Sequence, residues 1–227
     1  MLELDVFTLF PHWFSWLSEE KAVQRALGTT LELRYLSYRD FSPLKHRQVD
    51  DAPFGGGVGM LMRVDAVCAA VEGAYEQPLD QVRAGRRIIA LDPGGRGFDD
   101  GYARELAAAD RVTLLCGRYE GFDARILEHV ATESLSLGPY VLSGGEPVAM
   151  AVCDAIARLL PGALDSDASS EEESFSPALA GALEYPHYTR PETFRGWPVP
   201  AVLLSGHHAR VEEWRRARAV ERQPDPR

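Results

Sequence analysis

Through roughly the first two thirds of the chain, short apolar runs alternate with stretches where apolar residues recur at helical spacing. The apolar runs predict strands over 4–10, 31–38, 87–91, 112–116 and 134–137. After Pro11, the positions Trp13, Phe14, Leu17, Val23 and Leu27 follow a helical repeat. The same repeat predicts helices over 64–75, 99–109, near 126–130 and over 148–160, the last ended by Pro161-Gly162. A glycine-rich loop, Pro53 to Met60, precedes the helix at Val64. Continuous apolar strands alternating with helices imply an α/β fold with a mainly parallel sheet covered by helices on both faces. The pattern stops at Asp165–Ser174, where Asp165, Asp167, Glu171, Glu172 and Glu173 stand with no lysine or arginine. That run reads as a solvated linker. Beyond it, residues 179–227 are rich in proline and arginine, with one helical stretch from His207 to about Val220. The expected organisation is a main domain over 1–161, a flexible acidic linker over 162–178 and a small, mainly helical region over 179–227.

Composition adds three constraints. The 227 residues carry 24 basic and 34 acidic side chains, a formal net charge of −10. Taken alone, this argues against non-specific binding to nucleic acid or to an anionic membrane. Only Lys21 and Lys45 are lysine, however, so the basic side chains are overwhelmingly arginine. Arginine suits fixed, bidentate phosphate contacts, and codon bias accounts for the excess equally well. Cys68, Cys116 and Cys153 lie far apart among apolar residues with no CxxC, which reads as three reduced thiols, no metal site and a cytoplasmic location. No apolar run approaches the ~20 residues that span a bilayer, and Met1–Phe10 has no signal-peptide pattern.

Three loops follow apolar strands: Leu91–Gly97, Cys116–Gly121 and Leu137–Glu146. Each is glycine-rich, so backbone can approach a ligand closely. Each also falls where open parallel sheets bind ligands. Together they predict a pocket walled largely by backbone, with Tyr119 and Tyr140 as stacking faces. Other chemistry finds little support. There is no GxGxxG and no phosphate loop closed by Gly-Lys-Ser or Gly-Lys-Thr. The histidines show no metal-ligand spacing, and Ser143-Gly144-Gly145 is not a nucleophile elbow.

Five segments resemble the tRNA (guanine-N1)-methyltransferases, in the order and spacing of that family. They are His46–Met60 (HRQVDDAPFGGGVGM), Cys116–Asp123 (CGRYEGFD), Tyr140–Glu146 (YVLSGGE), Pro186–Pro191 (PHYTRP) and Val202–Gly206 (VLLSG). The resemblance covers Leu4 to about Arg216. It implies the SPOUT class, a parallel sheet with a deep trefoil knot, and a homodimer. It implies S-adenosylmethionine as methyl donor and the tRNA anticodon arm as partner, with the guanine at position 37, just 3′ of the anticodon, as target. Carried over by position, the donor site is Leu91, Pro93, Gly117, Tyr119, Leu137, Gly138, Pro139, Tyr140, Val141, Leu142, Gly144 and Gly145. The family usually has an acidic residue where Pro139 stands.

The family's catalytic pair is an arginine near the end of the helix after the knot and an aspartate in the linker. These map to Arg158 and Glu173. Glutamate keeps the carboxylate and adds a methylene; Glu171 and Glu172 stand next to it as substitutes. Arg158 would also suit the C-terminus of its helix. Glu120 aligns with an acidic residue tied to activity and to Mg²⁺ dependence. Two basic stretches, Arg34/Arg39/Lys45/His46/Arg47 and Arg210/Arg215/Arg216/Arg218, are candidate phosphate contacts. Family members usually continue with more helices after the stretch matching Trp214. Two alternatives remain at this point: a catalytically weak dimeric RNA- or cofactor-binding homologue, and a SPOUT methyltransferase acting on another RNA position.

Overall fold

The computed structural model describes residues 1–165 and 173–222. The chain divides into two compact units, Met1–Asp165 and Ser166–Arg227. Glu171 and Glu172 lie outside the described residues.

The first unit is built on five strands: β1 (Leu2–Thr8), β2 (Leu31–Ser37), β5 (Arg87–Gly97), β6 (Arg111–Cys116) and β7 (Glu133–Ser136). Two short strands, β3 (Asp50–Asp51) and β4 (Leu61–Met62), pair separately and antiparallel. The main sheet runs β2-β1-β6-β5-β7, and every pairing in it is parallel. Its helices are α1 (Lys21–Ala26), α2 (Tyr38–Phe41), α3 (Val64–Tyr75), α4 (Leu79–Gly85), α5 (Asp100–Ala107) and α6 (Glu146–Leu159).

Strand periodicity divides the core into two layers. Leu4, Val6, Ile89, Leu91, Val112, Leu114 and Leu135 face one side, against α1, α5, α6 and the 3₁₀ helix Pro11–Glu19. Phe7, Ile88, Ala90 and Leu115 face the other, against α3 and the single π turn Ile126–Val130. Both faces are thus covered, which is why these strands read as continuous apolar runs.

The α3 bounds match the apolar repeat, while the predicted helix after Pro11 is divided. Pro11–Glu19 is 3₁₀, and Glu20 is extended (φ −67°, ψ 131°) before α1 begins. Helix α5 starts where the Asp99 side chain accepts the Tyr102 N–H at 2.7 Å.

One polar group sits deep in this core. Asp5, 1% exposed, accepts two hydrogen bonds from Arg34 at 2.7 and 2.9 Å and one from the Tyr75 hydroxyl at 2.8 Å. Arg86, also buried, pairs with it at 2.9 Å. A buried carboxylate persists only with such partners. Arg34 thus spends part of its charge on this carboxylate, while its side chain stays 42% exposed.

The C-terminal ends of β5, β6 and β7 approach one another unusually closely. β5 pairs with β7 through Ile89–Leu91, bulges over Asp92–Gly95, and pairs again through Arg96 and Gly97. Leu135 thus faces both Leu91 and Arg96. The return is possible because residue 95 is glycine: a Cβ there would lie 2.5 Å from the Ser134 carbonyl carbon and 2.6 Å from that of Leu135. Gly145 crosses the end of β6 in the same way, where a Cβ would meet Cys116 Cα at 2.8 Å.

The second unit contains the hairpin β8 (Thr193–Phe194) and β9 (Trp197–Pro198), and helices α7 (Ala201–Leu204) and α8 (His208–Glu221). Trp197 and Phe194 are exposed on the hairpin, and Tyr188 lies 6.2 Å from Trp214. On α8, Arg215 and Arg216 face Glu212, and Arg218 pairs with Glu221. Among the described residues, no helix is long and apolar enough to cross a membrane.

Candidate functional site

The three glycine-rich loops converge at the C-terminal ends of the central strands. They line one open cleft. Its walls are Leu91 and Pro93 after β5, Gly117 and Tyr119 after β6, and Leu137, Gly138, Tyr140, Val141, Leu142, Gly144 and Gly145 between β7 and α6. Every residue assigned to the methyl donor by resemblance is therefore on this surface, except Pro139, which is exposed and does not line the cleft. Sequence reasoning missed Phe122, Leu135, Val148 and the side chain of Arg118, which also line the cleft. The first three are ordinary apolar positions with no local signal of a ligand.

The loops are tied together through backbone. The Gly145 N–H donates to the Gly117 carbonyl at 2.8 Å, and the Glu120 N–H donates to the Met60 carbonyl at 3.0 Å. The second bond brings the glycine-rich segment 53–60 to the rim. Gly59, at φ +87°, passes so close that a Cβ would lie 2.7 Å from Glu120 Oε1. Glu120 itself lines the cleft. Tyr119 sits at φ +62°, which turns its ring toward the cleft mouth. Burial and the neighbouring Asp50 carboxylate push its phenol up, against the opposing effect of Arg39. It therefore presents a neutral aromatic face.

Behind the cleft wall, Arg118 is held by one buried ion pair. Glu146, the first residue of α6, is fully buried and accepts a hydrogen bond from Arg118 Nε at 2.9 Å. Arg118 lies above the stacked rings of Phe10 and Trp13, at 4.6 and 4.8 Å from their centroids. Burial holds the Cys116 thiol beneath it far up, so Cys116 is a packing residue rather than a nucleophile.

Of the two residues assigned to catalysis by resemblance, Arg158 lies in the first unit and Glu173 in the second. Arg158 is in the last turn of α6, whose first turn meets the cleft, so the two are separated by ~18 Å along the helix axis. Glu173 belongs to the second unit, where its carbonyl accepts the Ser176 N–H at 3.0 Å. Among the described residues, no group of three or more His, Cys, Asp or Glu side chains gathers as metal ligands.

A glycine-walled cleft at the carboxyl ends of central parallel strands defines an α/β protein that binds a small organic ligand in backbone loops. Comparison narrows this class. The family model described as tRNA (guanine-1)-methyltransferase TrmD matches residues 2–227. A protein of Dehalococcoides mccartyi named tRNA (guanine-N(1)-)-methyltransferase is 49% identical over 229 residues, covering 99% of this chain and 90% of its own length. Relatives of the same name from Exiguobacterium sibiricum and Geobacter metallireducens are 46% and 45% identical, covering 99% and 97% of this chain and 90% and 87% of their own. The chain belongs to the tRNA (guanine-1)-methyltransferase family, an enzyme family of the SPOUT class.

Proposed function

We propose that this protein transfers a methyl group from S-adenosylmethionine to N1 of guanine-37 in tRNA, the base 3′ of the anticodon. The observation that carries the reading is the convergence of the three loops on one cleft. Its glycines leave backbone groups free to contact that ligand, and Tyr119 and Tyr140 offer faces for a base. When bound, S-adenosylmethionine supplies an electrophilic methyl group. Leu137, Gly138, Tyr140, Val141, Leu142, Gly117 and Tyr119 would hold it, with Leu91, Pro93, Gly144 and Gly145 beside them.

The remaining chemistry belongs to side chains. Neutral guanine carries a proton at N1, which must leave as that nitrogen attacks. The Glu173 carboxylate takes it as general base. Negative charge then grows toward O6, and the Arg158 guanidinium stabilises it where water is excluded. Glu120, on the cleft wall, supports this arrangement. Mg²⁺ has only the resemblance at Glu120 behind it.

The ~18 Å between the cleft and Arg158 on one copy of α6 supports a homodimer, in which a second copy brings its Arg158 to the cleft. The close crossings at Gly95 and Gly145 support a trefoil knot in residues 1–161. Residues 162–178 would then act as a linker carrying the base, and 179–227 as the part that grips the anticodon arm, with the arginines of α8 toward phosphate. This work belongs in the cytoplasm.

The test is transfer of label from S-adenosylmethionine to tRNA transcripts with guanine or adenine at position 37. Incorporation only with guanine supports the reading. Incorporation independent of that base points to another RNA position, and none despite donor binding points to a binding homologue. Glu173→Gln should lower turnover by roughly 10²–10⁴-fold with donor binding intact. Unchanged turnover would move the base elsewhere.

A further inference from the structure

Glu146 has no role in the chemistry above, yet it is a carboxylate with no solvent exposure. Such a group is retained only where its partners satisfy it. It has two. The Thr8 hydroxyl donates to Oε1 at 2.8 Å, and Arg118 Nε donates to Oε2 at 2.9 Å. Each partner is engaged again. Thr8 Oγ1 accepts the Phe10 N–H at 2.9 Å, and Arg118 Nη1 donates to the Ser143 carbonyl at 3.0 Å. The guanidinium also rests on the Phe10 and Trp13 rings.

Three segments distant in sequence therefore meet at one ion pair: the end of β1, the loop after β6 and the loop leading into α6. Arg118 itself lines the cleft, and the walls continue on either side of it and of Ser143. Gly117 and Tyr119 flank Arg118, and Leu142 and Gly144 flank Ser143. Gly144 fits between the charges because it has no side chain: a Cβ would lie 2.5 Å from Arg118 Nε and 2.7 Å from Glu146 Oε2.

We infer that Glu146, acting through Arg118, is a positioning residue that sets the separation of the two loop walls and so the affinity for the methyl donor, an inference that rests on the donor reading of this cleft. Glu146 touches no reacting atom. Its effect is to keep loops 117–121 and 137–145 in the spacing that a bound nucleoside needs, before the ligand arrives.

The pair makes a specific kinetic demand. Loosening the walls weakens donor capture without altering the groups that act on guanine. In the full-length protein, Glu146→Gln and Arg118→Lys should each raise the KM for S-adenosylmethionine and the Kd for S-adenosylhomocysteine by about 10-fold. Lysine keeps the charge but cannot reach Glu146 and Ser143 together. At saturating donor, kcat should stay within about 3-fold of wild type and the KM for tRNA within about 2-fold. The double variant should be no more than about 2-fold worse than the poorer single, because both remove the same linkage.

Thr8→Val, which loses one hydroxyl, should give a smaller donor effect of the same kind. It keeps the test open should Glu146→Gln fail to fold. Unchanged donor KM and Kd in the folded variants, a loss confined to kcat, or effects that multiply in the double variant would overturn the inference. Wild-type protein that binds no S-adenosylhomocysteine would instead overturn the donor reading itself.

Discussion

Gly95→Ala tests the crossing of β5 over β7 directly. The residue has no left-handed φ, so alanine brings no backbone strain and the effect is purely steric. The new Cβ would sit 2.5 Å from the Ser134 carbonyl carbon and 2.6 Å from that of Leu135. Carbon atoms in ordinary contact stand about 3.5 Å apart, so the crossing must open by about 1 Å. Nothing flexible is available to yield, because both obstacles are main-chain atoms of a core strand. Overpacking typically costs about 1–3 kcal/mol, and a collision with backbone belongs at the upper end, about 3 kcal/mol. For a unit of this size each kcal/mol lowers the melting temperature by about 2–4 °C, so Gly95→Ala should melt about 6–12 °C below wild type. Gly97→Ala is the control, since a Cβ there meets no atom within 4 Å. Thermal unfolding followed by circular dichroism reads both. If the two variants melt within 2 °C of each other, the close crossing is not a constraint on this fold.

Two further outcomes concern charge. Asp5→Ala takes one of two carboxylate partners from the buried Arg86 guanidinium, which keeps Glu3, and urea unfolding should show a loss of about 1–3 kcal/mol; a loss under 1 kcal/mol would mean the network is not a structural core. Burial pushes the Glu133 carboxyl up, but hydrogen bonds from Arg87 and Tyr102 pull it further down, below the ordinary 4.5. Its contribution is therefore complete above about pH 4.5 and disappears as pH falls through the lowered value. Glu133→Gln should melt below wild type at pH 7, by roughly 2–4 °C for about 1 kcal/mol, and the gap should narrow as pH falls below 4.5; a gap that does not narrow in acid would assign the loss to packing instead.

What could be read from the chain beforehand follows from the range of the interactions. β1, β2, β6 and α3 are governed by local alternation and burial, and their predicted bounds fall within a residue or two of the structure. β5 is longer than its apolar run. Pro93-Gly94-Gly95 is turn chemistry locally, and only the return onto β7 makes Arg96 and Gly97 part of the strand. Helix α4 and the two short hairpins have too few apolar positions to show a period. The cleft was legible because each of its loops follows a strand and carries glycine. The Arg118–Glu146 pair was not, because its partners are 28 residues apart and no spacing rule joins them. The distance from the cleft to Arg158 is a property of helix length, which motif matching does not weigh.

The all-parallel sheet also governs how the protein can be made. Glu3 of β1 faces Arg111 of β6, so β1 lacks that neighbour until β6 has been synthesised. During that interval β1 can pair only with β2, while Leu4, Val6 and Phe7 wait for the helices that will cover them. Parallel strands joined over long separations form slowly, because closure entropy is spent before the contacts return it. An open strand edge of this kind recruits other chains. The nascent N-terminal third is thus the aggregation-sensitive stretch of this protein, and slow synthesis or crowding should penalise β1 long before the catalytic loops exist.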